Sequence, residues 1–130
     1  MGSNASPERA STVLVVEDEP GVVAFLVRHL QSHPDLQVCA TAATGREAVE
    51  LSRTLQPDVV ILDWHLADAT GETVLPRLLA QSPGVRVVVY TSDPSASIKR
   101  ETERLGHRLV LKGSDLATLV AAIRGDQRPD

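Results

Sequence analysis

Four short apolar runs punctuate this chain, and each one delivers polar side chains at its end. Val13-Leu14-Val15-Val16 leads to Glu17 and Asp18, Val59-Val60-Ile61-Leu62 to Asp63, Val87-Val88-Val89-Tyr90 to Thr91, and Leu109-Val110-Leu111 to Lys112. Continuous runs rich in β-branched residues read as strands buried on both faces, the habit of a parallel sheet. Between them the apolar residues recur at helical spacing. Val22, Val23, Leu26, Val27 and Leu30 make one stripe, and Leu116, Leu119, Val120 and Ile123 another. The pattern predicts strands over residues 12–17, 36–41, 59–63, 86–91 and 108–112. Helices are predicted over 20–32, 45–55, 72–81 and 95–105, with a last one capped by Ser114 or Asp115.

Local chemistry supports these boundaries. Pro20 suits a first helical turn, where a missing N–H costs nothing. Thr44 and Glu47 have the spacing of a capping box. Ser82-Pro83-Gly84 and Gly106 stop the third and fourth helices. Strict alternation with right-handed crossovers gives an α/β fold: an open, doubly wound, five-stranded parallel sheet of order 2-1-3-4-5 flanked by five helices, flavodoxin-like in topology.

Composition narrows the class. At 130 residues and 42% hydrophobic content the chain suits one globular domain, not a disordered one. Residues 1–11 carry no signal-peptide core and read as a disordered leader or cloning remnant, residues 12–125 as the domain, and 126–130 as a disordered tail. The 17 acidic and 13 basic residues give a net charge of −4. With no basic run longer than Lys99-Arg100, direct nucleic-acid binding is not expected. No apolar run approaches the roughly 18 residues of a membrane span. Cys39 stands alone in an apolar stretch, which excludes a disulfide framework and suggests a small buried residue in a reducing cytoplasm.

The chemistry gathers at one edge. In a parallel sheet the carboxyl ends of the strands share an edge, and ligands bind in the crevice outside it. Glu17, Asp18, Asp63, Thr91 and Lys112 would all meet there, with the topological switch point falling between the strands that carry Asp18 and Asp63. Taken singly, an acidic pair after a strand is a solvated turn or helix cap, Lys112 a solvated strand end and Thr91 a β-former. Together, three crowded carboxylates repel one another, and a divalent cation relieves them. Magnesium accepts a few carboxylates and a carbonyl while keeping several waters. A carboxylate can also attack phosphorus to form an aspartyl phosphate, with Lys112 and Thr91 placed to meet the transferred group.

Over about residues 11–124 the chain resembles the receiver domains of response regulators in two-component signalling. The resemblance rests on Glu17-Asp18, Asp63, Gly71 eight residues later, Thr91 followed by Ser92, and Lys112, which match in order and spacing. It implies that Asp63 is the phosphorylation site and that Asp18 and Asp63 bind Mg2+ directly. Glu17 would assist through water, and the His65 backbone carbonyl would complete the protein ligands. Thr91 would be the switch hydroxyl and Lys112 the phosphate-pairing cation. It further implies a histidine kinase or histidine phosphotransfer protein as phosphodonor and an output domain or downstream protein as recipient. Magnesium-dependent self-phosphorylation from a phosphodonor and autodephosphorylation follow, with no separate substrate. His65 and Asp93, two positions after the acceptor and the switch threonine, would flank the path of the hydrolytic water.

The chain departs from the family pattern at several positions. Leu109 stands where an aromatic switch residue is common, Gly113 where proline often follows the lysine, and Ala67 where a loop proline is expected. Tyr90 is a poor substitute for the aromatic, because strand neighbours face opposite sides and Thr91 must face the site. These departures keep open a second reading, a receiver-fold protein-binding module whose docking does not depend on phosphate. His29, His33 and His107 are expected at surfaces or element boundaries. Trp64 is expected to pack beneath the site.

Overall fold

The computed structural model describes residues 9–125. Its elements alternate without exception: β1 (Ser11–Val16), α1 (Pro20–Gln31), β2 (Leu36–Ala42), α2 (Gly45–Leu55), β3 (Val59–Leu62), α3 (Gly71–Gln81), β4 (Arg86–Thr91), α4 (Ala96–Arg104), β5 (Arg108–Leu111) and α5 (Leu116–Ile123). The strands form one parallel sheet in the order β2-β1-β3-β4-β5, as the alternation predicts.

Alternation along each strand sorts the core into two layers. Val13, Val15, Val59, Ile61, Val88, Tyr90 and Val110 face Leu26 and Leu30 of α1 and Leu119 and Ile123 of α5. Leu14, Val16, Val60, Leu62, Val87 and Val89 face Ala48, Val74, Leu75, Leu78 and Ile98 of the opposite helices. The central β3 is buried along its whole length, which is why its sequence shows no polar alternation.

Helix ends are held by named side chains. The Thr44 hydroxyl accepts from the Glu47 N–H at 3.0 Å. Asp68 adds a second cap from a distance in sequence, accepting from Gly45 and Arg46 N–H groups at 2.8 and 3.2 Å. Of the two residues able to cap α5, Asp115 does so, accepting from Thr118 N–H at 3.0 Å. At the far ends of α2 and α3 a buried hydroxyl pair, Ser52 and Ser82, lies 2.9 Å apart, and Ser82 also donates to the Ser52 carbonyl.

Some expectations need correction. Ser11, assigned to the leader, is the first residue of β1: its N–H donates to the Asp35 carbonyl at 2.9 Å, and it pairs with Leu36. A ladder binds backbone, so a polar side chain does not bar the position. The expected leader over 1–8 and tail over 126–130 lie outside the described residues. Cys39 is half-buried on the edge strand β2, its thiol 3.5 Å from the Val13 carbonyl. The helix α3 runs through Pro76, whose exposed position spares the core from the missing N–H. No helix among the described residues is long and apolar enough to cross a membrane.

Candidate functional site

Three of the strands hand over their polar residues one step after the regular ladder ends, yet the backbone there is still pinned. Glu17 N–H donates to Ala42 carbonyl at 2.9 Å, Asp63 N–H to Val16 carbonyl at 3.0 Å, and Lys112 N–H to Thr91 carbonyl at 2.8 Å. Each side chain is therefore presented from a rigid edge and not from a free loop.

Carboxylate oxygens of Glu17, Asp18 and Asp63 all lie within 4.8 Å of one another. Glu17 and Asp63 are buried, and Asp18 is exposed. The Lys112 ammonium reaches into the cluster, 2.9 Å from Glu17 Oε1 and 3.4 Å from Asp63 Oδ2. Burial pushes the Glu17 carboxyl above the usual carboxylate range; the Lys112 bond opposes this and the Asp63 charge adds to it. Burial alone would lower the Lys112 pKa, but the bond to Glu17 and the Asp63 charge outweigh it and raise it. One cation thus faces three carboxylates, and the cluster keeps a negative surplus.

The hydroxyl and the loops close the site. Thr91 is buried, and its Oγ1 accepts from the Asp93 N–H at 3.2 Å, leaving the hydroxyl proton to be donated elsewhere. His65 N–H points at Asp63 Oδ1 from 3.4 Å. His65 Nε2 and Asp93 Oδ2 meet at 2.7 Å, bridging the loops after β3 and β4. Hydrogen bonds from Ser95 and then His65 hold the Asp93 carboxyl at about 2. Trp64 is buried, and its carbonyl accepts from Gly71 N–H at 2.7 Å. A Cβ on Gly71 would lie 2.2 Å from the Trp64 ring, so only glycine lets the indole seat on the first turn of α3.

Every side chain singled out in the sequence comes to this edge: Glu17, Asp18, Asp63, Thr91, Lys112, and His65 beside them. Leu109 packs into the core layer beneath α4, and Tyr90 into the opposite layer, away from Thr91. Sequence reasoning named His65 and Asp93 but missed that they touch; their equal offset of two residues from Asp63 and Thr91, on adjacent strands, was the available signal. It also missed the Asp68 cap, which nothing local announces across 23 residues.

A family model for the response regulator receiver domain matches residues 13–124. The chain belongs to the response regulator receiver domains. Its function is accordingly that of a phosphoryl-accepting receiver in two-component signalling, and the phosphate-independent module is not favoured. The receiver is 34% identical over 112 residues to protein-glutamate methylesterase/protein-glutamine glutaminase 2 of Anaeromyxobacter dehalogenans, covering 86% of this chain and 30% of that protein. It is 34% identical over 115 residues to response regulator GacA of Pseudomonas aeruginosa, covering 86% of this chain and 53% of that one. Among solved structures it is similar to the response regulator domain of Thermotoga maritima CheB, with 27% identity and a TM-score of 0.77, covering 92% and 100% of the two chains. A LuxR-family two-component response regulator from Aurantimonas sp. gives 27% identity and a TM-score of 0.83, with 89% and 84% covered. The chain spans about half of GacA and under a third of the methylesterase.

Proposed function

We propose that Asp63 is the phosphoacceptor and that Glu17, Asp18, Thr91 and Lys112 serve its phosphorylation. The observation that carries this reading is the Lys112 ammonium between Glu17 and Asp63, with the exposed Asp18 completing a cluster of surplus negative charge. An Asp63 carboxylate oxygen attacks the donor's phosphorus; the new P–O bond forms as the bond to the donor imidazole breaks, and the imidazole leaves with the electron pair. Lys112 pairs with the phosphoryl oxygens as a point charge. Thr91 donates its uncommitted hydroxyl proton to one of them, drawing the loop through Asp93 and Ser95 with it.

The donor set fits Mg2+: three hard carboxylate oxygens within 4.8 Å, two of them on buried residues, against the single ammonium of Lys112, which does not balance them. Asp18 and Asp63 would hold the ion, with the His65 carbonyl, and Glu17 would act through water. Magnesium supplies charge neutralisation at the phosphoryl oxygens when bound.

The donor in this reading is a histidine kinase or histidine phosphotransfer protein in the cytoplasm. The recipient is an output domain or downstream protein, as suggested by the longer relatives. The test is incubation with magnesium and a small phosphodonor, followed by intact mass. Wild type gains one phosphoryl group and Asp63→Asn none; labelling that survives the substitution overturns the assignment. Magnesium at millimolar-scale concentration changes Trp64 emission, since the indole adjoins a ligand, and Asp63→Asn weakens that response.

A further inference from the structure

The chain carries a single Tyr, a single Trp and a single Phe, and two of these aromatics are chain neighbours of site residues. Trp64 follows Asp63. Tyr90 precedes Thr91 but points into the other core layer, so it cannot follow the hydroxyl as a switch. Its ring instead lies beneath the lysine: Lys112 Nζ is 5.9 Å from the ring centroid. The ring is itself fixed, being 6% exposed, paired across the sheet with Val110 and packed in the layer of Leu119 and Val120. A cation at this range over an aromatic face is attracted by the ring's quadrupole.

The backbone pins where the Lys112 side chain starts, through its N–H on the Thr91 carbonyl, but the long flexible stem leaves the ammonium to be placed by what it touches. Lys112 is followed by Gly113 at φ +100°, in a turn where Ser114 N–H bonds back to Leu111. The ammonium is therefore held by its side-chain contacts, which are of two kinds. Glu17 and Asp63 are carboxylates, and both are committed to other partners during phosphoryl transfer. The Tyr90 face is neutral and unreactive, and it stays in place whatever the carboxylates bind.

From this we infer that Tyr90 is a positioning residue for Lys112, a fixed aromatic seat that keeps the ammonium aimed at the phosphoryl group while its carboxylate partners are engaged. The inference rests on the reading of Lys112 as the phosphate-pairing cation. It adds a residue that the sequence pattern sets aside, and it explains why an aromatic stands in the sheet at the position before the switch threonine.

The test separates ring electronics from ring volume. Phenylalanine and its 4-fluoro, 3,5-difluoro and 3,4,5-trifluoro analogues are placed at position 90, and the rate of labelling by a small phosphodonor is measured. Fluorine drains the ring face at nearly constant volume, so the rate falls stepwise, by about threefold to tenfold across the series, the scale of a partly desolvated cation–π contact. Tyr90→Phe keeps most of the wild-type rate. In a Lys112→Met background the series is flat. Independently of labelling, the Lys112 ε-methylene proton resonances, shifted upfield by the ring, move downfield in Tyr90→Leu. A flat fluorination series alongside a slow Lys112→Met protein overturns the role given to Tyr90, as do unmoved ε-methylene resonances. A Lys112→Met protein that labels as fast as wild type overturns instead the reading of the ammonium on which the inference rests.

Discussion

The two edges of this sheet are built from similar side chains to opposite ends. At the amino edge Asp58 accepts from the Thr12 N–H and hydroxyl at 2.9 and 3.2 Å, while Thr12 accepts back from Asp58 N–H. Arg86 donates to the Ile123 carbonyl from two nitrogens, at 3.2 and 3.0 Å, and His107 Nδ1 accepts from Val87 N–H at 3.1 Å. Each polar group there is answered by backbone. At the carboxyl edge Glu17, Asp63 and Lys112 are answered mainly by one another, and negative charge is left over. A groove of about 470 Å3 opens at the amino edge, lined by Arg9, Ser11, Asp58 and Arg86 among others, so hollow space is not particular to the edge that carries the chemistry. Charge left unbalanced, and not hollow space, marks where a ligand is wanted.

The contrast breaks first under substitution. Asp58→Ala strands the Thr12 N–H and is expected to lower unfolding free energy by about 1–3 kcal/mol, with phosphodonor labelling unchanged. Chemical denaturation with parallel mass measurement checks this; a variant that keeps its stability removes the amino-edge network from the account. Glu17→Gln has the opposite sign. Relief of repulsion in the cluster, partly offset by the lost ion pair with Lys112, should stabilise the metal-free domain by on the order of 1 kcal/mol, against about 4 kcal/mol for a bare like-charge pair roughly 4 Å apart near a surface. Magnesium should narrow the gap, because wild type gains more from it. A destabilised Glu17→Gln would mean that the bond to Lys112 outweighs the repulsion.

The aspartyl-phosphate lifetime sharpens the comparison. His65→Ala and Asp93→Ala each break the bridge between the two loops and are expected to change the lifetime severalfold, on the reading that both flank the path of the in-line water. His29→Ala, away from that edge, is the inert control. Equal lifetimes in all three variants would leave the bridge no part in hydrolysis.

The smallest effect is a pair of pH slopes. Burial, and then the Arg86 charge, depress the His107 pKa below its ordinary value of about 6.5. The unfolded chain therefore takes this proton first, and stability present above about pH 6.5 is lost as pH falls through it. The raised Glu17 runs the other way: its contribution is full below the ordinary carboxylate value and is lost as pH rises through the raised one. Melting scans between pH 5 and 8 should show His107→Asn, which keeps an acceptor without the basic proton, flattening the limb near neutrality. An unchanged limb would assign that slope elsewhere.

Much of this was legible in the order of residues. Apolar runs ending on Glu17, Asp63, Thr91 and Lys112 fixed the sheet, its order and the edge that carries chemistry, because a parallel strand buried on both faces writes itself as an unbroken run. Contacts between loops were not legible. The His65–Asp93 bridge, the Asp68 cap on α2 and the Tyr90 ring under Lys112 depend on how neighbouring strands are set side by side, and no local periodicity records that. His107 read as a boundary residue for the same reason: its bond to Val87 crosses from one strand's start to another's.

The Ser52–Ser82 pair bears on how such a domain changes over generations. Both hydroxyls are buried but not equally dependent: replacing Ser82 leaves the Ser52 hydroxyl without its partner, whereas replacing Ser52 leaves Ser82 its bond to the residue 52 carbonyl, and replacing both by alanine removes the need altogether. The route from two hydroxyls to none therefore has a preferred order, residue 52 changing first, because the costly intermediate is Ser52 alone. Drift at residue 52 is then tied to drift at residue 82, far from any selection on signalling. Two positions with no part in the chemistry should vary together across lineages, and their record would trace the packing of α2 against α3 and not the partner the receiver serves.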